Sequence, residues 1–316
     1  MYDFGFSPNE TTLSNISVLS QLESKISEQR ICELHEIATD MKNVSLELLK
    51  NELGLYEVLS LISDGLSLGD CIIHENAMEE NISAIRAYLS ASSLSDRAVL
   101  CRLWIGEMRE AGVSISEAMF LQSDERNESI AYVKNSFSDE AFDVFSVDFK
   151  SPKVAYAKDF REALKMVADS EVGFCLLPLE ERGLRLPTIA DLIFNGDFKI
   201  NAVTPVFGFD GSADMKYALV SKGFSVPEKR ADDDRYLEIR IGTEQRTALT
   251  EALFAAEFYG IGVYSVNTLD LGAADTDKKY YSVIFRDDGN SFVGLLTYLT
   301  LFSPSFTPVG IYKNLE

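Results

Sequence analysis

A chain of 316 residues is longer than one ordinary domain, and 46% hydrophobic with 25% charged residues is globular composition, so two or three compact units are expected and a fibrous or disordered chain is excluded. The 50 acidic against 29 basic side chains give a net charge of −21, which repels nucleic-acid backbones and anionic membranes and argues against either as a partner. No run approaches the ~20 apolar residues of a membrane span, and the opening MYDFGFSPNE lacks the basic-then-apolar layout of a signal peptide, so a cytoplasmic location is the expectation.

Residues 1 to about 112 read as helical throughout. Leu13, Ile16, Leu19, Leu22 and Ile26 recur at three- and four-residue spacing, and Leu34, Ile37 and Met41 resume the pattern. A second apolar cluster runs Leu48, Leu49, Leu53, Val58, Leu59, Ile62. Two further helices are predicted near Met78–Leu89 and Ser95–Ala111, the latter with Ser95 as N-cap ahead of Asp96. The segment Gly112–Glu128 reads as a connector.

From Ser129 the period changes. Short apolar runs (130–133, 154–156, 173–177, 199–207, 216–220) alternate with amphipathic helices that start at Ser138, Phe160 and Pro187, which argues an α/β layered domain over 129–225. The polar stretch VPEKRADDD marks a boundary. Over 235–316 the order becomes strand, helix, strand, strand, helix, strand, the ferredoxin-like βαββαβ arrangement.

Cys32, Cys71, Cys101 and Cys175 are far apart and form no C-x-x-C pair, which reads as buried, reduced thiols. His35 and His74 have no Cys or His at ligand spacing, so no metal site is expected.

Four passages, in order, resemble the prephenate dehydratase family with its C-terminal ACT domain. IAYVKNSFSDEAF (130–142) is similar to the family's GPxGTFS strand, loop and helix. DFREALKMVADSEVGFCLLPLEE (159–181) resembles the passage that ends in PIENS. DMKYALV (214–220) falls where the family carries Thr-Arg-Phe, and AEFYGIGVYSVNTLDLG (256–272) where the ACT domain carries ESRP. The resemblance implies two α/β lobes like a periplasmic binding protein, with prephenate in the cleft between them. It also implies an ACT domain that senses phenylalanine, a homodimer, and a reaction that needs no cofactor and no metal. That reaction expels the ring hydroxyl and a carboxylate together, to give phenylpyruvate, CO2 and water. It requires a proton donor for the leaving hydroxyl and positive groups to hold two carboxylates.

The motif positions themselves are altered. The first loop reads Asn135-Ser136-Phe137-Ser138, so Ser136 and Ser138 can offer hydroxyls and helix-start N–H groups to a substrate carboxylate, or can simply cap the helix. PIENS becomes Pro178-Leu179-Glu180-Glu181-Arg182; Glu181 and Arg182 replace substrate contacts, and Glu181 opposes an anion unless Arg182 or Arg185 neutralises it. Thr-Arg-Phe becomes Met215-Lys216-Tyr217: Met215 cannot donate a proton, Lys216 keeps the charge without the guanidinium fork, and Tyr217 adds a hydroxyl. ESRP becomes Asn267-Thr268-Leu269-Asp270, and Thr247 precedes Ala248 and Leu249 where the family has a glycine. Thr247 fills the space through which an amino acid would approach the backbone, against phenylalanine sensing in the usual mode.

The candidate residues are therefore Lys216, Tyr217 and Ser136 for catalysis, Ser138, Glu181 and Arg182 for substrate, and Asn267, Thr268 and Leu249 for an effector. Residues 19–42 and 81–98 faintly resemble helices of the chorismate mutase domain that precedes the dehydratase in some bacteria. Glu23 and Asp40 stand where arginines belong, and Lys25, Arg30, Lys42, Glu57 and Arg86 are the available polar substitutes. Two readings stay open: a dehydratase acting on prephenate or a similar small anionic metabolite in phenylalanine biosynthesis, or a catalytically inactive ligand-binding, regulatory or complex-forming homologue that keeps the ACT-type dimer.

Overall fold

The computed structural model describes residues 28–64, 76–121, 127–207, 213–227, 234–243, 246–270, 279–287, 289–303 and 306–314. The first apolar repeat (Leu13 to Ile26), Glu23, Lys25, Cys71 and His74 lie outside them. The chain forms two compact units: residues 1–120 with 246–262 and 288–306, and residues 121–245 with 263–287 and 307–316. The sequence reading divides the chain sequentially, whereas compactness groups the two helices of 235–316 with the N-terminal ones.

The first unit is helical: α1 (Glu28–Lys50), α2 (Leu55–Asp64), α3 (Asn76–Ala91), α4 (Leu94–Glu110), α8 (Arg246–Phe258) and α9 (Val293–Phe302), with a 3-10 turn at Glu117–Met119. In α1 the buried residues Leu34, Ala38, Met41, Val44, Ser45 and Leu48 follow the three- and four-residue spacing that puts them on one face. In α4 the buried set is Ala98, Val99, Leu100, Cys101, Trp104 and Met108. The buried Trp104 indole donates to Ser45 Oγ at 3.3 Å. Helix α4 starts two residues earlier than expected. Ser93, not Ser95, is its N-cap, because Ser93 Oγ accepts from the Asp96 N–H while Asp96 Oδ2 reaches back to the Ser93 N–H. Helix α9 is buried on all sides from Gly294 to Leu301, and the Glu117 carboxylate accepts from Ser291 Oγ and the Phe292 N–H at its start, both at 3.0 Å. Cys32 corrects the expectation of buried thiols: it is exposed, while Cys101 and Cys175 are buried.

The second unit is built on one sheet: β1 (Ser129–Val133), β2 (Lys153–Ala157), β3 (Phe174–Glu181), β4 (Leu184–Arg185), β5 (Lys199–Phe207), β6 (Ala213–Ser221), β7 (Arg235–Gly242), β8 (Gly262–Asp270), β9 (Lys279–Arg286) and β10 (Thr307–Lys313). Its order is β2-β1-β3-β6-β5-β10-β7-β9-β8, with β4 paired to β3. Helices α5 (Ser136–Ser146), α6 (Phe160–Ala168) and α7 (Pro187–Asn195) complete the unit. Strands β7 to β10 run in the order last, first, third, second, which is the strand order of the ferredoxin-like arrangement. Strands β1 to β6 all belong to the same sheet, so the second lobe expected between residues 129 and 225 contributes no sheet of its own.

Two apolar layers cover the faces of this sheet. Ala141 and Phe145 of α5 pack with Ile130, Leu176, Val206, Tyr217 and Leu219. Leu164 and Val167 of α6 and Ile189 and Ile193 of α7 pack with Cys175, Leu177, Ala218 and Val220. Because β1 lies between β2 and β3, the connections that leave it and arrive at β3 run on opposite faces. The carboxyl ends of β1 and β3 thus form a topological switch point, where open α/β sheets place their ligand crevice.

Candidate functional site

Strand directions bring most of the sequence candidates to that end of the sheet. The loop after β1 carries Ser136, β3 ends at Glu181, and β6, antiparallel to β3, begins beside it, with Glu180 opposite Lys216 and Pro178 opposite Tyr217. Strand β5 runs in the same direction as β3 and ends there too, with Thr204 opposite Tyr217.

At the start of α5 the N-cap is Asn135. Its Oδ1 accepts from the Ser138 N–H at 2.9 Å, and Ser138 Oγ accepts from the Asn135 N–H at 3.0 Å while donating to the Val133 carbonyl at 2.7 Å. Ser138 is buried and its hydroxyl is committed to the cap, which removes it as a substrate donor. Ser136, at the first helical position, is exposed. The neighbouring Tyr132 hydroxyl donates to Asp139 Oδ1 at 2.9 Å, and burial with that bond drives its pKa up.

Glu181 and Arg182 belong to a tight turn. Strands β3 and β4 pair antiparallel through Glu180–Arg185 and Glu181–Leu184, which leaves Arg182 (φ 49°) and Gly183 (φ 77°) as a two-residue loop with both residues at positive φ. Both Glu181 and Arg182 are exposed. Arg185, beyond the turn, faces inward instead.

Lys216 Nζ lies 3.0 Å from Glu180 Oε2, so its charge is neutralised within the sheet. Tyr217 is 2% exposed, packed in the α5-side core. Burial raises its pKa and the Asn135 side chain opposes the rise. The hydroxyl therefore stays protonated. The Glu180 carboxylate also approaches Arg185, whose Nη2 donates to Glu238 Oε1 at 2.5 Å. Glu238 is fully buried and also accepts from Ser282 Oγ at 3.0 Å and the Tyr312 hydroxyl at 3.4 Å. Burial by itself would lower the Arg185 pKa, but the Glu238 charge, with Tyr312 and Glu180, outweighs it and the guanidinium stays charged. Tyr312 is pushed well above its ordinary value by burial and then by Glu238. Glu238, Ser282 and Tyr312 are the residues that sequence reading left out; Arg185 entered only as a neutraliser of Glu181, and its inward turn toward Glu238 has no local signature, since charged residues near a turn are normally exposed.

The effector candidates are each placed in their own unit. Asn267 and Thr268 are exposed on β8, with Asn267 Nδ2 donating to Ser265 Oγ at 3.4 Å, and Leu249 is a half-buried residue of α8 in the helical unit. In that unit the cations proposed as mutase substitutes are spent locally. Arg30 pairs with Asp96 at 3.0 Å and Glu33 at 2.8 Å, Lys42 with Glu107 at 2.8 Å, and Arg86 donates to the carbonyls of Leu61 and Ile62. The Glu57 carboxylate accepts from the Gly54 N–H at the start of α2, and Asp40 is exposed. No group of three or more His, Cys, Asp or Glu that could hold a metal occurs among the described residues, and no helix among them is long and apolar enough to cross a membrane.

No family model matches the chain, and no curated protein does. Among solved structures, the chain is similar to a prephenate dehydratase from Streptococcus mutans (15% identity, 59% of this chain and 98% of that one, TM-score 0.45). It is also similar to GqqA, described as a novel type of quorum quenching acylase (17% identity, 59% of this chain and 95% of that one, TM-score 0.44). A third is a prephenate dehydratase from Arthrobacter aurescens in complex with L-Phe (13% identity, 58% of this chain and 89% of that one, TM-score 0.44). At such identities and scores these likenesses transfer no residue's role.

Proposed function

We propose that this chain is a prephenate dehydratase-like protein that holds a small metabolite at the carboxyl ends of β1, β3 and β5 without turning prephenate over. The observation that carries this reading is the Lys216–Glu180 pair at 3.0 Å. Expulsion of the ring hydroxyl needs a free proton donor and spare positive charge for two carboxylates. Here Met215 stands at the donor position, the charge of Lys216 is already balanced, and the Ser138 hydroxyl serves a helix cap. A dianion would enter this end of the sheet against Glu180 and Glu181 and against a net charge of −21. In this reading strands β7 to β10 with α8 and α9 are an ACT-type module that serves a homodimer, phenylalanine is not sensed in the usual mode, and the protein works in the cytoplasm.

The test is to incubate purified protein with prephenate near neutral pH and follow phenylpyruvate against the spontaneous rate. The expected result is no acceleration. Turnover that disappears in Lys216→Ala overturns the reading and makes the protein a dehydratase with a relocated acid. A second reading has one observation in its favour: Tyr217, next to Lys216 on β6, stands opposite Pro178 of β3 at this end of the sheet. Acceleration that survives Lys216→Ala and is lost in Tyr217→Phe would establish Tyr217 as that acid.

A further inference from the structure

The environment of Arg185 asks for a partner that the protein does not supply. Its side chain is 10% exposed, yet among the described residues it makes one hydrogen bond, from Nη2 to Glu238. Nε and Nη1 are buried and donate to nothing. Nη1 stands 3.7 Å from Glu180 Oε1, beyond hydrogen-bond reach. Leaving a buried N–H unpaired costs about 1–3 kcal/mol, and more for a charged group. Glu238 cannot turn to help, because Ser282 and Tyr312 hold it in place.

Charge balance selects the kind of partner. Arg185 and Lys216 are matched by Glu180 and Glu238, so the cluster is neutral as it stands. A carboxylate ligand would add an unbalanced charge beside two buried or half-buried acids. A carbonyl could accept from Nη1 but would leave Glu180 Oε1 without a donor. A hydroxyl does both, accepting from the guanidinium and donating to the carboxylate. Nε–H leaves the guanidinium in a different direction from the Nη1 hydrogens, so a second oxygen is needed there. Lys216 is 30% exposed and Glu180 17% exposed, so these two members of the cluster are within reach of solvent.

We propose that Arg185 and Glu180 form a binding site for a small uncharged polyhydroxylated molecule of the polyol or sugar class. The proposal rests on the reading of this end of the sheet as a binding site and names the ligand chemistry. Saturation-transfer NMR and isothermal titration of the full chain, with glycerol, myo-inositol and glucose as probes against acetate and phenylpyruvate, test it. At least one hydroxylated probe is expected to bind, with no competition from the carboxylates. Glu180→Ala, which leaves the Arg185–Glu238 pair in place, is expected to weaken that binding about tenfold, the equivalent of one buried hydrogen bond to a charged group. Arg185→Lys is the companion variant, and thermal melts establish that both are folded. Binding of carboxylates alone overturns the hydroxyl assignment and leaves the binding reading standing. Binding unchanged in folded Glu180→Ala overturns the site. Binding of neither class, with only ordered water on Nε and Nη1 in a crystal, overturns both.

Discussion

Arg235 and Asp287 form an ion pair in the interior of the sheet unit, each only 2% exposed, with Nη2 and Nε both donating to Asp287 Oδ2 at 2.6 and 3.2 Å. The same residues are joined through the backbone, where the Asp287 N–H donates to the Arg235 carbonyl at 2.9 Å. They stand at one end of the β7/β9 ladder, next to the Tyr236–Arg286 register pair.

Removing Asp287 takes from the buried Arg235 guanidinium the carboxylate oxygen to which its Nη2 and Nε both donate. Asp287→Ala is therefore expected to destabilise the protein by about 3–5 kcal/mol, measured by urea unfolding. Replacing both by apolar residues of similar volume, Arg235→Met with Asp287→Leu, is expected to recover much of that loss, since the desolvation cost of both ions disappears together. A double variant no more stable than Asp287→Ala would show that the pair does more than neutralise itself.

Two serines two residues apart separate the cap seen in the structure from the one expected from sequence. Ser93→Ala removes the acceptor for the Asp96 N–H and should cost ~1 kcal/mol, while Ser95→Ala should leave the melting temperature of the protein close to unchanged. At the start of α5 the same contrast holds between Asn135→Ala, which is destabilising, and Ser136→Ala, which is close to neutral.

Gly310 is where β10 meets β5. A Cβ added there would lie 2.7 Å from the Ile200 carbonyl oxygen and 2.8 Å from Ile200 Cβ; these two residues are register partners of β10 and β5, with a further bridge from Val203 of β5 to Asn314 just past β10. The backbone cannot yield as a flexible side chain can, so Gly310→Ala is expected to cost about 1–3 kcal/mol by overpacking. Thermal denaturation measures it, and an unshifted midpoint would mean that the two strands can part without loss.

Alkaline pH should unfold the protein early. Burial raises the pKa of Tyr217, Tyr312, Tyr259 and Tyr298 above their ordinary value of 10.0, and it raises those of Cys101 and Cys175 above 9.0. For each group the folded pKa exceeds the unfolded one, so the unfolded chain gives up its proton first and stability falls as pH rises. The contribution is complete below the ordinary values and is lost progressively above about pH 9–10. Melting midpoints recorded across that range are expected to decline, and Cys32, the exposed thiol, should react with a thiol reagent in the native state while Cys101 and Cys175 wait for unfolding.

The periodic signals in the sequence located the elements well. Helix α6 occupies Phe160–Ala168 as its amphipathic pattern required, and the strands from β5 to β10 stand within a few residues of their apolar runs. What local pattern could not express was pairing at a distance. Nothing near Gly310 marks Ile200 as its neighbour, and nothing in Leu295 or Leu299 says that α9 belongs to the unit of the N-terminal helices. Ser136, Glu181 and Lys216 do reach one end of the sheet, but the contacts they make there were not legible in the sequence. Whether Lys216 is free or held depends on Glu180 36 residues away, and that Arg185 turns inward depends on Glu238, on a strand beyond the polar boundary.

Strand β10 is seated between β5 and β7, with parallel and antiparallel neighbours on its two sides. In synthesis, residues 307–313 follow both of those neighbours by many tens of residues, so each waits with a bare row of backbone groups until β10 arrives. A strand in that position is a keystone delivered late: the nascent chain carries two incomplete sheets with open edges, the kind of surface that recruits other strands. Protection of those edges during synthesis, by a chaperone or by rapid release of the chain, is therefore part of what this topology demands of the cell that makes it.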